Sequence, residues 1–293
     1  MSQQQIIKMF GEIIKNFRVR NGLSQTAFVD LVQRSNSTFS NLDVVTLSRW
    51  ERGVTKPHLT RQNELLDLVG IDVFDVWKSE FSSNVDINFL NKLSRNGYTD
   101  SNDTLITETI IINSSNIVEL QNYVNLIDLV CDFEKSILFE RELSKYSSKI
   151  SMFQNLIEEF SGELILIVSH GQLVGHILTL SQSVLEEYMS DLIKIEEGVH
   201  LVLSFNCTSE LSIIDTLARE AYKYLQSPNP NKGLHIFINN KRMFDFLFHL
   251  GFEYKTVKCG DIKAKYMMTD AKQIKSQRTW MQLIVSYKGG EDE

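Results

Sequence analysis

Between Ser82 and Asn102 the chain changes its repeat, and that change rules out one uniform fold. Ser82-Ser83-Asn84 and Asn96-Gly97-Tyr98-Thr99-Asp100-Ser101-Asn102-Asp103 are rich in turn formers and poor in apolar residues, as a linker is. Ahead of this stretch apolar residues recur every three or four positions; behind it β-branched runs alternate with helical ones. The pattern predicts a two-domain α+β protein. An all-α domain covers residues 1–81, a linker 82–102, a mixed α/β domain 103–270 and a C-terminal tail 271–293. At 293 residues, with 43% hydrophobic and 10% aromatic content, the chain can fill two cores.

In the first part, Phe10, Ile13, Ile14 and Phe17 define the apolar face of a helix that Asn21-Gly22 ends. Ser24 is placed to cap a second helix from Gln25 to about Val32, with Gln25 and Thr26 in its exposed first turn, where backbone N–H groups suit a phosphate oxygen. Asp43 caps a third helix that runs to Gly53. Val44, Leu47 and Trp50 turn inward on it, leaving Val45, Thr46, Arg49 and Arg52 on the outer side. Arginine can bond guanine bidentately or hold a phosphate, and valine or threonine methyls can meet a thymine methyl, so this outer face suits a major groove.

Gly22-Leu23-Ser24-Gln25, then Ser48-Arg49-Trp50-Glu51-Arg52-Gly53 with Pro57, resembles the Cro/C1-type (XRE) helix-turn-helix family over about the first 80 residues. The resemblance implies five helices, the last two at Thr60 to Val69 and Val73 to Phe81. It also implies double-stranded DNA as partner, Arg49, Thr46 and Val45 for base edges, and Gln25, Thr26, Arg52 and Lys56 for phosphates or flanking bases. Relative to the family, Gln33 to Asn41 is surplus and sits in the turn before the third helix.

Charge is compatible with a local cationic face only. Residues 1–80 hold ten Lys and Arg against nine Asp and Glu, so +1 stands against −8 on the remainder of a chain of net charge −7. An acidic body discourages nonspecific adhesion to nucleic acid. Cys131, Cys207 and Cys259, odd in number and scattered, indicate free thiols in a reducing cytoplasm, not a disulfide framework or zinc site. The six histidines show no paired ligand spacing, so no metal is expected. No signal peptide and no apolar run of about 18 residues is present, which predicts a cytoplasmic protein with no membrane segment.

Past the linker the expected order is a strand at Thr107 to Ile112, helices at Ile117 to Cys131 and Leu143 to Phe160, and a hairpin of Glu163 to Ser169 with Leu173 to Leu180 turning at Gly171-Gln172. A strand at Val199 to Phe205, a helix at Ser212 to Leu225, a strand at Leu234 to Asn239, a helix at Arg242 to Leu250 and strands at Glu253 to Val257 and Lys263 to Met268 follow. This order, with Asn239-Asn240 before a helix that ends Leu250-Gly251-Phe252-Glu253, is similar to the GCN5-related N-acetyltransferase (GNAT) fold over roughly Asp103 to Asp270.

The family's Arg/Gln-x-x-Gly-x-Gly/Ala loop, which wraps the acetyl-CoA pyrophosphate, corresponds here to Asn206-Cys207-Thr208-Ser209-Glu210-Leu211-Ser212, without glycine. Glu210 would repel a pyrophosphate. The family's general-acid tyrosine corresponds to Leu247. Tyr222, Tyr254 and Cys207 are substitutes with structural roles equally open to them. No catalytic residue is therefore assigned, and Thr208, Ser209 and Asn240 are the candidate cofactor contacts, with acetyl-CoA as the possible cofactor.

The expectation is a sequence-specific transcriptional regulator, homodimeric because paired recognition helices reach paired half-sites, whose GNAT-like domain senses a small molecule or dimerises and does not catalyse. Two alternatives stand beside it. One is an acetyl-CoA-dependent N-acetyltransferase with an attached DNA-binding domain; the other is an antitoxin-like repressor whose C-terminal domain binds a protein.

Overall fold

The computed structural model describes residues 3–81, 107–133, 143–180, 199–207, 210–227, 233–238, 241–259 and 262–291. Two compact units emerge. Unit 1 joins residues 1–85 to 275–293, and unit 2 spans 86–274. The segment read from sequence as a tail thus divides, and its larger part belongs with the N-terminal helices.

Unit 1 is all helical: α1 (Gln3–Arg20), α2 (Gln25–Ser35), α3 (Val44–Glu51), α4 (Leu59–Leu68) and α5 (Val73–Phe81). Local chemistry sets the ends. Gly22 and Gly53 take φ of +65° and +66°, which a side chain would resist, and so stop α1 and α3. Ser24 accepts from Ala27 N–H at 3.1 Å and Asp43 from Thr46 N–H at 2.6 Å, fixing the starts of α2 and α3.

The surplus before α3 is ordered. Part of it lengthens α2 to Ser35, and Ser37–Phe39 form a short 3-10 turn capped by Asn36. Gln33 Nε2 bonds the Leu42 carbonyl at 2.8 Å. Phe39 is buried, and the Arg61 guanidinium lies over both its ring and that of Trp50, 5.2 and 5.5 Å from the centroids. A final helix of residues 278–291 packs on α5 and contributes buried Trp280, Met281, Leu283 and Ile284.

Unit 2 is mixed α/β and is built on one seven-stranded sheet, consistent with a GNAT-like fold. In chain order it contains β1 (Glu108–Asn113), a 3-10 helix (Ile117–Tyr123), α6 (Val124–Phe133), α7 (Lys149–Glu159), β2 (Glu163–Ser169), β3 (Gln172–Leu180) and β4 (His200–Cys207). Then come α8 (Glu210–Leu225), β5 (Leu234–Ile238), α9 (Lys241–His249), β6 (Glu253–Cys259), β7 (Ile262–Thr269) and α10 (Ala271–Ser276), whose last two residues count with unit 1. Spatially the strands run β1-β2-β3-β4-β5-β7-β6, and only β4 and β5 pair in parallel. A hydrogen-bonded two-residue turn serves the β2–β3 hairpin; the parallel pair needs α8 as crossover.

Several boundaries differ from the sequence expectation, among them α8, which starts at Glu210, and β6, which runs to Cys259. Residues 117–123 wind as 3-10 before α6 begins, hooked to β1 by Asn116 Nδ2 on the Ile111 carbonyl at 2.9 Å. The helix expected from Leu143 starts at Lys149, because Ser148 and Ser151 form a reciprocal cap. Strand β4 runs two residues further, to Cys207. One sheet face packs Leu164, Leu166, Leu178 and Leu201 against Ile127, Phe153 and Leu156 of α6 and α7. On α8, Glu220 meets His200 at 3.0 Å, while Arg219 and Lys223 hold Glu163 at 3.1 and 3.0 Å, tying that helix to β4 and β2.

Candidate functional site

One feature of unit 2 that can admit a ligand lies where its parallel pair opens. Pairing between β4 and β5 covers only His200↔Leu234, Leu201↔His235 and Val202↔Ile236, although β4 continues to Cys207 and β5 to Ile238. At the point of separation β4 carries a bulge. Leu178 stands opposite Ser204 and Thr179 opposite Val202, so Leu203 is the extra residue. A bulge re-aims side chains and ends pairing. The β5-facing backbone of β4 from Leu203 to Cys207 has no strand partner among the described residues, although it lies in the middle of a sheet, and α8 and α9 both begin at this end.

Polar and sulfur groups line β4 beside the opening. His176 Nε2 and Ser204 Oγ are 2.6 Å apart, both residues buried; desolvation holds the imidazole down to about 4, so it is neutral at pH 7. Sequence reasoning missed this pair, because His176 and Ser204 are neighbours only once β3 and β4 are in register. Cys207 is buried, its thiol raised to about 12 by desolvation, which outweighs the hydrogen bond from Thr216. That removes it as a nucleophile. Gly175 gives it room: a Cβ there would stand 2.8 Å from Cys207 Sγ. Tyr254 is exposed and sits edge-on to Phe244 and Phe248, with Lys265 Nζ 4.6 Å from its ring centroid. Tyr222 lies half-buried on α8. Leu247 is buried, as an aliphatic wall would be. Thr208, Ser209 and Asn240, the candidate cofactor contacts, lie outside the described residues.

In unit 1 the residues expected to meet DNA divide by environment. Val45 is 60% exposed, and Thr26, Arg49, Arg52 and Lys56 are also exposed. On α3, Leu47, Trp50 and Glu51 face inward while Val44 is only half-buried, so the inward stripe is shifted from the expected Val44-Leu47-Trp50. Two residues are engaged within the fold. The Gln25 amide donates to Glu51 Oε2 at 2.8 Å, and Arg52 Nε bonds its own helix at the Ser48 carbonyl. Thr46 offers no free backbone donor, because Asp43 takes it. Lys56 borders a cleft of about 390 Å³ with Pro57, His58 and Arg278.

Glu51 is the hub of this unit. Arg18 reaches it through both Nε (2.6 Å) and Nη2 (3.0 Å), a bidentate clamp. Burial acts to raise the Glu51 carboxyl, but the Arg18 and Gln25 hydrogen bonds together outweigh it and hold the group below its ordinary value.

Among the described residues no group of His, Cys, Asp and Glu is arranged to hold a metal ion, and no helix is long and apolar enough to cross a membrane. No family model matches the chain, and no curated protein matches it significantly. Solved structures do show likeness. A probable acetyltransferase from Staphylococcus epidermidis ATCC 12228 is 12% identical, with 57% of this chain and 99% of that one covered and a TM-score of 0.35. An N-acetyltransferase from Staphylococcus aureus Mu50 is 11% identical, with 56% and 97% covered and a TM-score of 0.36. The aminoglycoside acetyltransferase AAC(6')-Ib in complex with coenzyme A is 14% identical, with 59% and 99% covered and a TM-score of 0.36. The proteins matched are acetyltransferases and one holds coenzyme A, which corrects the expectation of a transcriptional regulator with a non-catalytic C-terminal domain and is consistent with acetyl-CoA as the possible cofactor.

Proposed function

We propose that the chain is an acetyl-CoA-dependent N-acetyltransferase carrying a DNA-binding domain. The separation of β4 from β5 at the Leu203 bulge carries the reading. A sheet interior rarely leaves backbone donors and acceptors unpaired, because each costs about a lost hydrogen bond when kept from water. The β4 edge from Leu203 to Cys207 fits an extended, amide-bearing carrier that pairs with it as a strand would. At the same end α8 and α9 present helix starts, and Lys241, exposed at the first position of α9, supplies a cation there.

Bound acetyl-CoA supplies the activated acyl carbonyl; the protein supplies position. Holding an amine against that carbonyl replaces an encounter in solution by a local one, and this alone can lower the barrier by several kcal/mol, up to about 7–11. The buried Ser204–His176 pair fixes β4 just past the bulge, and Leu247 leaves proton transfer to water or substrate. The test is thiol release from acetyl-CoA in the presence of a panel of primary amines, with acetyl-CoA affinity measured by calorimetry on the full chain. Micromolar binding and amine-dependent release are expected. Absence of both would overturn the assignment.

For the attached domain, the exposed outer face of α3 supports duplex DNA as partner, met by a two-fold dimer. The Arg49 side chain has no hydrogen bond or ion pair among the described residues, and Val45 and Thr46 lie one turn before it. Arg49→Ala is expected to cost about 1–3 kcal/mol on a selected duplex and to blur one base position, whereas Lys56→Ala weakens all sequences alike. Equal loss on every sequence would remove Arg49 from base readout.

A further inference from the structure

At the end of unit 2 opposite the β4/β5 opening, where β5 and β6 begin and β7 ends, the structure holds a second cleft of about 560 Å³. Its floor is polar and its sides are aromatic. His235, the second residue of β5, enters it with its ring fixed from behind: Nδ1 lies 2.5 Å from the Tyr266 hydroxyl. Nε2 has no hydrogen bond among the described residues and lies over Gly233, where a Cβ would stand only 2.5 Å away. Thr269, at the end of β7 and 7% exposed, lines the cleft with a hydroxyl that has no partner among the described residues. A buried, unmatched hydroxyl is uncommon enough to need an occupant or a cause.

Charge and apolar surface then narrow the class of occupant. Among the described residues, Glu253 and Asp270 line the cleft and no lysine or arginine does, although the Lys255 charge is felt at His235. Glu253 makes no ion pair among the described residues, and Asp270 uses only Oδ1, to accept from Gln273 N–H at 2.7 Å. Phe248, 52% exposed, forms the side available to a ligand, while Phe252 borders the cleft but is itself buried. Burial, with Lys255 adding to it, holds His235 down to about 4, so the ring meets a cation without charge of its own.

We propose that this cleft is a binding site for a small primary amine with an apolar body. The ammonium pairs with Glu253 and Asp270 and lies within reach of aromatic faces, the combination that favours organic cations. The apolar body covers Phe248, and His235 and Thr269 supply hydrogen bonds at the floor. The site is separated by the length of β5 from the proposed acetyl-transfer cleft and does not rest on that reading.

Calorimetric titration of the full chain with 2-phenylethylamine, and with 2-phenylethanol as the neutral analogue of like shape, tests the proposal. Saturable binding of the amine is expected, with the alcohol at least about tenfold weaker. Glu253→Gln and Asp270→Asn should each weaken the amine about fivefold or more; asparagine keeps the helix cap at 270, and unchanged thermal unfolding separates lost binding from lost fold. Three results would each overturn it: no saturable binding of the amine, equal binding of the alcohol, or amine binding that neither substitution weakens. The last would place the amine elsewhere, as at an acceptor site by the β4/β5 opening.

Discussion

Arg18→Ala is expected to destabilise unit 1 by about 3 kcal/mol, since removing one partner of a buried pair strands the other charge. Glu51 is buried and its carboxylate accepts from both Arg18 and Gln25, so alanine at 18 leaves only the neutral Gln25 amide. The readout is clean because the chain's three tryptophans, Trp50, Trp77 and Trp280, all lie buried in unit 1. Urea unfolding followed by tryptophan fluorescence therefore reports this unit. The same pair gives a pH dependence with a definite sign. A carboxyl held below its ordinary value of 4.5 in the folded state stabilises the fold above that pH, and the contribution disappears as pH falls through the folded value. Fluorescence-monitored stability should thus decline below about pH 4.5, and Glu51→Gln should flatten that decline; an unchanged slope would show that other carboxyls carry it.

Gly11→Ala should be at least as costly, about 3 kcal/mol, at the upper end of overpacking effects. A Cβ at residue 11 would stand 2.0 Å from the Trp50 carbonyl oxygen and 3.2 Å from Glu51 Cα. Backbone gives way less readily than a side-chain tip. The same carbonyl accepts from Gly53 N–H at 2.9 Å, so moving it disturbs the end of α3 as well. A glycine in mid-helix ordinarily gains about 1 kcal/mol on conversion to alanine. Here the close approach of α1 to α3 reverses the sign, and the same fluorescence transition measures it. A stabilised variant would mean that the two helices part at little cost.

These two residues show where the sequence is legible and where it is not. Caps and stops were readable, because Ser24, Asp43 and Gly22 act on the backbone within a few residues. Strands with β-branched runs, such as Glu163 to Ser169, were also readable, to the residue. Contacts across the chain were not. Nothing local marks Arg18 and Glu51, 33 positions apart, as partners, or marks Gly11 as the point where a helix touches a carbonyl. The proposed acetyl-transfer site at the β4/β5 opening was hidden for the same reason. It consists of pairing that stops, and a sequence motif search for glycines on the following loop looks past it. The helix at 278–291 was missed because its apolar residues, Trp280, Met281, Ile284 and Val285, form a short stripe that ends in Lys288-Gly289-Gly290.

That helix makes unit 1 discontinuous in the chain, with unit 2 inserted between its two parts. A ribosome delivers α1 to α5 before unit 2, and residues 278–291 after it. Until that helix emerges α5 lacks the cover it has in the fold, so the first-made helices wait on a segment made after the whole of unit 2.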